Sequence, residues 1–508
     1  MSESANERIG RSERRITCNP QLTTYNSQSI PFALVVLLAL LVRVAWLVHF
    51  PTNPIAPVDA EGFHLLAVNM LGGRGFAIGW EPPFCPTAVR TPLYPLFLAT
   101  IYTVMGHNPL RVLPAHLLLE ALTTALVMRL GRDLGGRRMG LWAGLLYACN
   151  GTTQRYTGYL LSETLLLPLL TASVWMTLRV LRHPTSRKAA ITGLLWGLTL
   201  LTKPNVQFLA LCMAGVLTWR MASYELRITN YVSRLKFLFF WLAFGSTLFP
   251  WLLRNRMTFG RWMLSTAFEE NLARVSAVVT LAEQEGVRAE PWTETWEYYY
   301  DRVVAAARAR STWEAHAATD ECTVLYHLQL DIARAARDIV RAHLLSYFRA
   351  HLRGVLTSLR DPGHRLWYHV LTGQEWESTG VVADIGARMA WSLERGAVGD
   401  ALHALWMERV VRPPLPAVFL WWGLVAARLS VWVFVLRGAW RLRRLPWVPG
   451  VLLGTVAYLL LLPGPIAYDR FYLPAIPEVI LLVLTGFCKP VRGDETVARG
   501  YLHCWYVA

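Results

Sequence analysis

Apolar residues in this chain gather into long continuous runs, not into the alternating or one-faced patterns of soluble strands and helices. Runs of roughly 20 residues, enough for a helix to cross the hydrocarbon core of a bilayer, are expected at 32–50, 110–131, 139–155, 160–180, 189–202, 204–221, 236–253, 415–436, 447–463 and 472–488. They predict an all-α, polytopic transmembrane helical bundle of about 10–12 spans. The run from Pro92 to Gly106 is shorter and has Pro92 and Pro95 in its first turn, so it reads as an interfacial or re-entrant helix.

Basic residues cluster between the runs, at Arg132 to Arg138, Arg182 to Lys188, Arg220 to Lys236, Arg437 to Arg444 and Lys489 to Arg492. An N-terminus in the cytoplasm puts every cluster on the cytoplasmic side, as the positive-inside bias requires. The run from Pro31 to Phe50 follows Arg8, Arg11, Arg14 and Arg15 with no small-residue cleavage site after it, and reads as an uncleaved signal-anchor. This orientation predicts a cytoplasmic tail over 1–30 and a transmembrane module over 31–260 with an outer loop at 51–108. An extracytoplasmic helical region follows over 261–414, then transmembrane helices over 415–488 and a cytoplasmic tail over 489–508.

Within that region, Ile339, Leu344, Tyr347, Phe348 and Leu352 recur at helical spacing. One reading lays this helix on the membrane with Arg341, Arg349 and Arg353 towards headgroups. The other packs it into a helical outer domain.

Composition agrees with a membrane protein: 54% hydrophobic, 17% charged and 22 Trp in 508 residues, with a mean hydropathy of +0.32. The net charge of +16 sits in short loops, where anionic headgroups are its natural partner, and no nucleic-acid module is visible. The seven cysteines have no CxxC spacing, so neither a metal nor a redox cofactor is expected. Cys85 and Cys322 share the expected oxidising side and can pair there. No P-loop, HExxH or GxSxG is present.

Candidate chemistry collects near the ends of the runs. Asp59 and Glu61 follow the first span, and Phe63, Leu66, Ala67 and Met70 continue at helical spacing along the bilayer surface. A carboxylate held there can act as general base on a hydroxyl or amine; an ordinary solvated loop is the other reading. Glu163 borders a span, where an ionisable side chain needs a cavity or a partner. Arg43, Arg90, Lys203, Arg254 and Arg470 fall at or near the outer face, against the topological bias. Converging cations would neutralise a phosphate, although each alone can equally pair with an acid or snorkel. His64 reads as an interface residue.

An ordered series of motifs resembles the GT-C glycosyltransferases, in particular the bacterial family-39 group of protein O-mannosyltransferases and the lipid A aminoarabinose transferase. It begins with Asp59, Phe63, Ala67, Gly73 and Gly75, then an RxPxYPxFLA block from Arg90 to Ala99, and Ser162-Glu163. Thr202 to Pro204, PWxxRN at Pro250 to Asn255 and RxYxPxxP at Arg470 to Pro477 complete it. Phe63 stands where the family has Tyr and Leu93 where it has Gly. The series covers roughly 32–260 and 447–488.

The resemblance implies a multi-pass inner-membrane enzyme moving a sugar from a polyprenyl-phosphate donor, with inversion, to a lipid, glycan or protein acceptor on the extracytoplasmic face. It implies Asp59 as base, with Glu61 its rival, and Glu163 as second acid. Arg90, Lys203, Arg254 and Arg470 would hold the donor phosphate, and Tyr94 and Tyr472 would line the substrate cavity, with no cofactor. Two other classes stay open: a transporter or flippase for a lipid-linked substrate, and a structural subunit with a degenerate site.

Overall fold

The computed structural model describes residues 25–225, 236–287, 289, 293–309, 321–360, 396–407, 415–445, 447–465 and 469–487. The expected tail at 489–508, most of the tail at 1–30, the basic clusters over 226–235 and 489–492, and Cys18, Cys488 and Cys504 lie outside them.

The chain opens with helix α1 (Tyr25–His49), followed by α2 (Val58–Leu71), a two-residue antiparallel pair β1 (Ala77–Ile78) and β2 (Cys85–Pro86), and α3 (Leu93–Met105). Next come α4 (Leu113–Ala148), α5 (Gly151–Thr157), α6 (Glu163–Arg182), α7 (Ser186–Thr202), α8 (Gln207–Glu225) and α9 (Lys236–Phe259). The α4 stretch is a hairpin. Gly136 has a φ of +79°, a turn that glycine adopts without a Cβ clash. Beyond it Gly140 and Gly144 return against Met128, so two helices run side by side, as the separate runs at 110–131 and 139–155 predict.

Seven stretches among the described residues are long and apolar enough to cross a membrane, and the hairpin is one of them. Helix α7 covers the run expected at 189–202, and Val448–Leu461 is apolar but shorter than a full span. Small residues set the packing, since close backbone approach replaces the hydrophobic drive that lipid removes. Gly193 and Gly197 of α7 lie against Phe240 and Thr247 of α9.

After α9 the chain forms α10 (Ala267–Asn271), a π-helical turn (Leu272–Ala277), α11 (Val278–Gln284), α12 (Glu294–Arg308), α13 (Glu321–Ala342), α14 (Leu344–Arg360) and α15 (Val398–Trp406). The π-helical turn, α11, α12 and α13 build a second core around Ala277, Trp296, Tyr299, Val303, Ala336 and Val340, with Tyr347 of α14 packed against it. Four elements close the chain: α16 (Leu415–Leu442), α17 (Val448–Leu461), α18 (Asp469–Tyr472) and α19 (Ile476–Phe487). Gly438 of α16 crosses the backbone of α19 at Leu482.

Cys85 and Cys322 form a disulfide that ties β2 to α13 across 237 residues. Closing so long a loop restricts the unfolded chain, and removing such a bond costs about 2–5 kcal/mol. Cys85→Ser is therefore expected to lower the thermal midpoint in detergent. Wild type treated with reductant should fall to the same midpoint, and an unchanged midpoint in both would refute the expectation.

Candidate active site

Asp59 lies in the first turn of α2, which starts after Pro57. The buried face of α2, Ala60, Phe63 and Ala67, packs on Tyr94 and Leu98 of α3, which fixes where the acid points. Glu163 opens α6, where the positive end of the helix dipole favours a carboxylate. Lys203 occupies the break after α7 that Pro204 enforces, having no N–H to continue the helix. Arg470 sits in α18.

These elements converge. Arg470 donates from Nη1 to Asp59 Oδ2 at 2.6 Å, and from Nε and Nη2 to Glu163, the second contact at 3.3 Å. Lys203 Nζ reaches Glu163 Oε1 at 2.8 Å, and Arg90 pairs with the free Oδ1 of Asp59. Glu163 is 2% exposed, whereas Asp59 and Arg90 remain about a third open to solvent. Two carboxylates and three cations give the cluster a formal charge of +1. Burial alone would raise the Asp59 pKa, but Arg90 and Arg470 outweigh it and hold the carboxyl below its ordinary 3.8.

Five of the expected residues thus meet. The others are placed elsewhere. Glu61 points away and accepts from Trp80 Nε1 at 3.3 Å. Tyr94 is fully buried, its hydroxyl 3.1 Å from His116 Nε2, so it packs in the core and lines no opening. Tyr472 stacks under the Arg428 guanidinium at 4.0 Å, two residues from Arg470. Arg43 is buried against Glu120 at 2.8 Å, with Tyr147 donating to the same oxygen. His64 is buried beside Tyr102 and stacked on His107.

Arg254, expected on the phosphate, instead holds the loop. Its guanidinium donates to the carbonyls of Thr87 at 2.8 Å and Phe76 at 3.1 Å. Thr266 N–H caps Ala88 O at 2.9 Å and Ser265 Oγ caps Val89 O at 2.7 Å. Three successive carbonyls are pinned just before Arg90, so Arg254 positions that cation. Charged hydrogen bonds of this kind contribute about 1.5–3 kcal/mol. Arg254→Met is expected to lower thermal stability by about that amount. Arg254→Lys should recover little of it, because a point charge cannot span both carbonyls. Wild-type unfolding of either variant would refute the assignment.

Sequence reasoning passed over three residues. Glu120 is the acid that answers Arg43, and Glu478 is buried in α19 with neither oxygen hydrogen-bonded among the described residues. Both carried the signal of an acid inside an apolar run. Arg428, partly buried in α16 beside Tyr472, carried the same kind of signal.

Residues 89–251 match the family described as dolichyl-phosphate-mannose-protein mannosyltransferase. That match covers less than half of the chain. The matched stretch contributes Arg90, Glu163 and Lys203 to the cluster, while Asp59 and Arg470 lie on either side of it. No curated protein matches the chain. The solved structures similar to it include these two. One is the archaeal oligosaccharyltransferase AglB from Archaeoglobus fulgidus, in complex with an inhibitory peptide and a dolichol-phosphate. It is 11% identical, over 95% of this chain and 52% of that one, with a TM-score of 0.42. The chain thus spans about half the length of that protein. The other, apo ArnT from Cupriavidus metallidurans, is 14% identical over 86% of each chain, with a TM-score of 0.39.

Proposed function

We propose that the chain is an integral membrane glycosyltransferase that moves a sugar from a polyprenyl-phosphate donor to a hydroxyl or amine acceptor. One observation carries this reading: Asp59, Glu163, Arg90, Lys203 and Arg470 interlock at one end of the bundle. The surplus of one positive charge complements the single negative charge of a sugar phosphodiester. Arg90 and Arg470, both with guanidinium forks, take the phosphate. Their departure from Asp59 leaves its carboxylate free to accept a proton.

The acceptor O–H or N–H attacks the anomeric carbon while the bond from that carbon to the phosphate oxygen breaks. The acceptor proton passes to Asp59 and the polyprenyl phosphate leaves into the cations, which stabilise the charge it gains. Glu163 holds Lys203 and Arg470 in place. Attack opposite the leaving phosphate inverts the anomeric centre.

The Cys85–Cys322 bond supports an extracytoplasmic site in a bacterial inner membrane, since such bonds persist in oxidising compartments and β2 lies five residues before Arg90. The helical region after α9 would meet the acceptor.

The test is transfer by the purified protein in lipid, using a radiolabelled polyprenyl-phosphate sugar and a membrane-extract acceptor pool. Label appearing in an acceptor supports the reading. Donor that is bound and moved between leaflets, with its glycosidic bond intact, overturns it in favour of a transporter.

A further inference from the structure

Helix α14 carries an apolar stripe that nothing among the described residues covers. Leu344, Leu345, Phe348, Leu352 and Leu356 are between 45% and 63% exposed. Their spacing confines them to roughly a third of the helix circumference. The expected apolar face is therefore divided. Ile339 and Tyr347 turn inward onto the second core, and Arg353, expected towards headgroups, instead pairs with Glu283 at 2.8 Å.

The direction of the stripe is fixed by what holds the opposite side. Ala350 is buried, and the His351 ring meets the Leu461 carbonyl at 2.9 Å. Gly354 approaches the Gly464 carbonyl too closely for any Cβ. Trp432 of α16 donates to the Leu359 carbonyl at 2.8 Å. Leu461 ends the apolar helix α17, so α14 lies at the level where that helix leaves the apolar layer.

The spans that α14 contacts are themselves exposed and apolar, at Leu461 of α17 and at Leu429, Val433 and Leu436 of α16. A bilayer must cover that surface along the spans. Exposed Arg341 and Arg349 flank the stripe, so hydrocarbon and cation are offered side by side.

We infer that α14 is an interfacial helix. Its stripe enters the acyl boundary of the adjacent leaflet, about 5–10 Å deep, with Arg341 and Arg349 on anionic headgroups. Contact with these exposed apolar spans selects lipid over a second copy of the chain. The helix thereby seats the α11–α13 core against the membrane, whether or not the chain transfers sugars.

The test uses the full chain in nanodiscs of phosphatidylcholine and phosphatidylglycerol. A nitroxide is attached to Phe348→Cys, Leu352→Cys or Arg349→Cys, with Cys18, Cys149, Cys212, Cys488 and Cys504 replaced by serine and the disulfide retained. Exposed positions accept the label without repacking. At 348 and 352, collisions with oxygen should exceed those with a water-soluble nickel chelate several-fold, and at 349 the order should reverse. Phosphatidylcholine alone, or Arg341→Gln with Arg349→Gln, should narrow the contrast. Nickel dominating at 348 and 352 overturns the inference. So does shielding from both reagents with a dipolar broadening that vanishes on dilution by unlabelled protein, which would indicate a second copy. A contrast indifferent to lipid charge and to the arginine variant overturns the headgroup part.

Discussion

Arg470→Met is expected to abolish donor binding and to destabilise the protein by about 3–5 kcal/mol, the range for removing one partner of a buried ion cluster. Arg470 is the only one of the three cations in the cluster that touches both carboxylates. Without it Asp59 keeps Arg90 and Glu163 keeps Lys203, but the cluster becomes neutral and loses its attraction for a phosphodiester. Thermal unfolding in nanodiscs reads the first effect, and retention of labelled donor reads the second. Adding Glu163→Gln removes the acid left underpaired and brings the cluster back to a formal +1, so it should return part of the stability and part of the binding. Wild-type donor binding in the single variant would remove Arg470 from the site.

Asp59→Asn should reduce transfer by about 10²–10⁴-fold, the usual contribution of a positioned proton acceptor. Donor binding should stay or tighten, because the cluster gains a positive charge. Glu61→Gln should transfer as wild type does, since Glu61 meets Trp80 and none of the cations. Equal losses in both variants would reject the choice of Asp59.

The pH dependence follows from the lowered Asp59 pKa. A carboxyl lowered by folding contributes stability above its unfolded value, and that contribution disappears as pH falls through the folded value. Here the window lies below 3.8. Asp59 of the free protein is thus ionised throughout the neutral range, and an acidic limb assigned to it in a kcat/KM profile must fall below that pH. A limb near neutrality that vanishes in Asp59→Asn would contradict this.

The spans and the five cluster residues were legible because a bilayer penalises polar groups so heavily. An unbroken apolar run predicts a helix, and a charge at its end predicts a partner. Partner choice was less legible. Arg254 looked like Arg470 in the sequence, yet its acceptors are the carbonyls of Phe76 and Thr87, and every residue type carries a carbonyl. Tyr94 belongs to a sequence motif, but packing against α2 and His116 closes it off. In α14 periodicity identified the helix correctly, while the division between Tyr347 inward and Phe348 outward depended on tertiary contacts with α11 and α17.

Arg470 lies 411 residues from Asp59 and 307 from Glu163. During synthesis both acids are inserted long before the cation that joins them, and contacts of such separation form late. Meanwhile each acid has only one of its two neutralising arms, and the other arrives only once the α18 segment has emerged. A ribosome-stalled chain ending before residue 469 would therefore carry every spanning segment up to α17 and still have an open, unlocked centre.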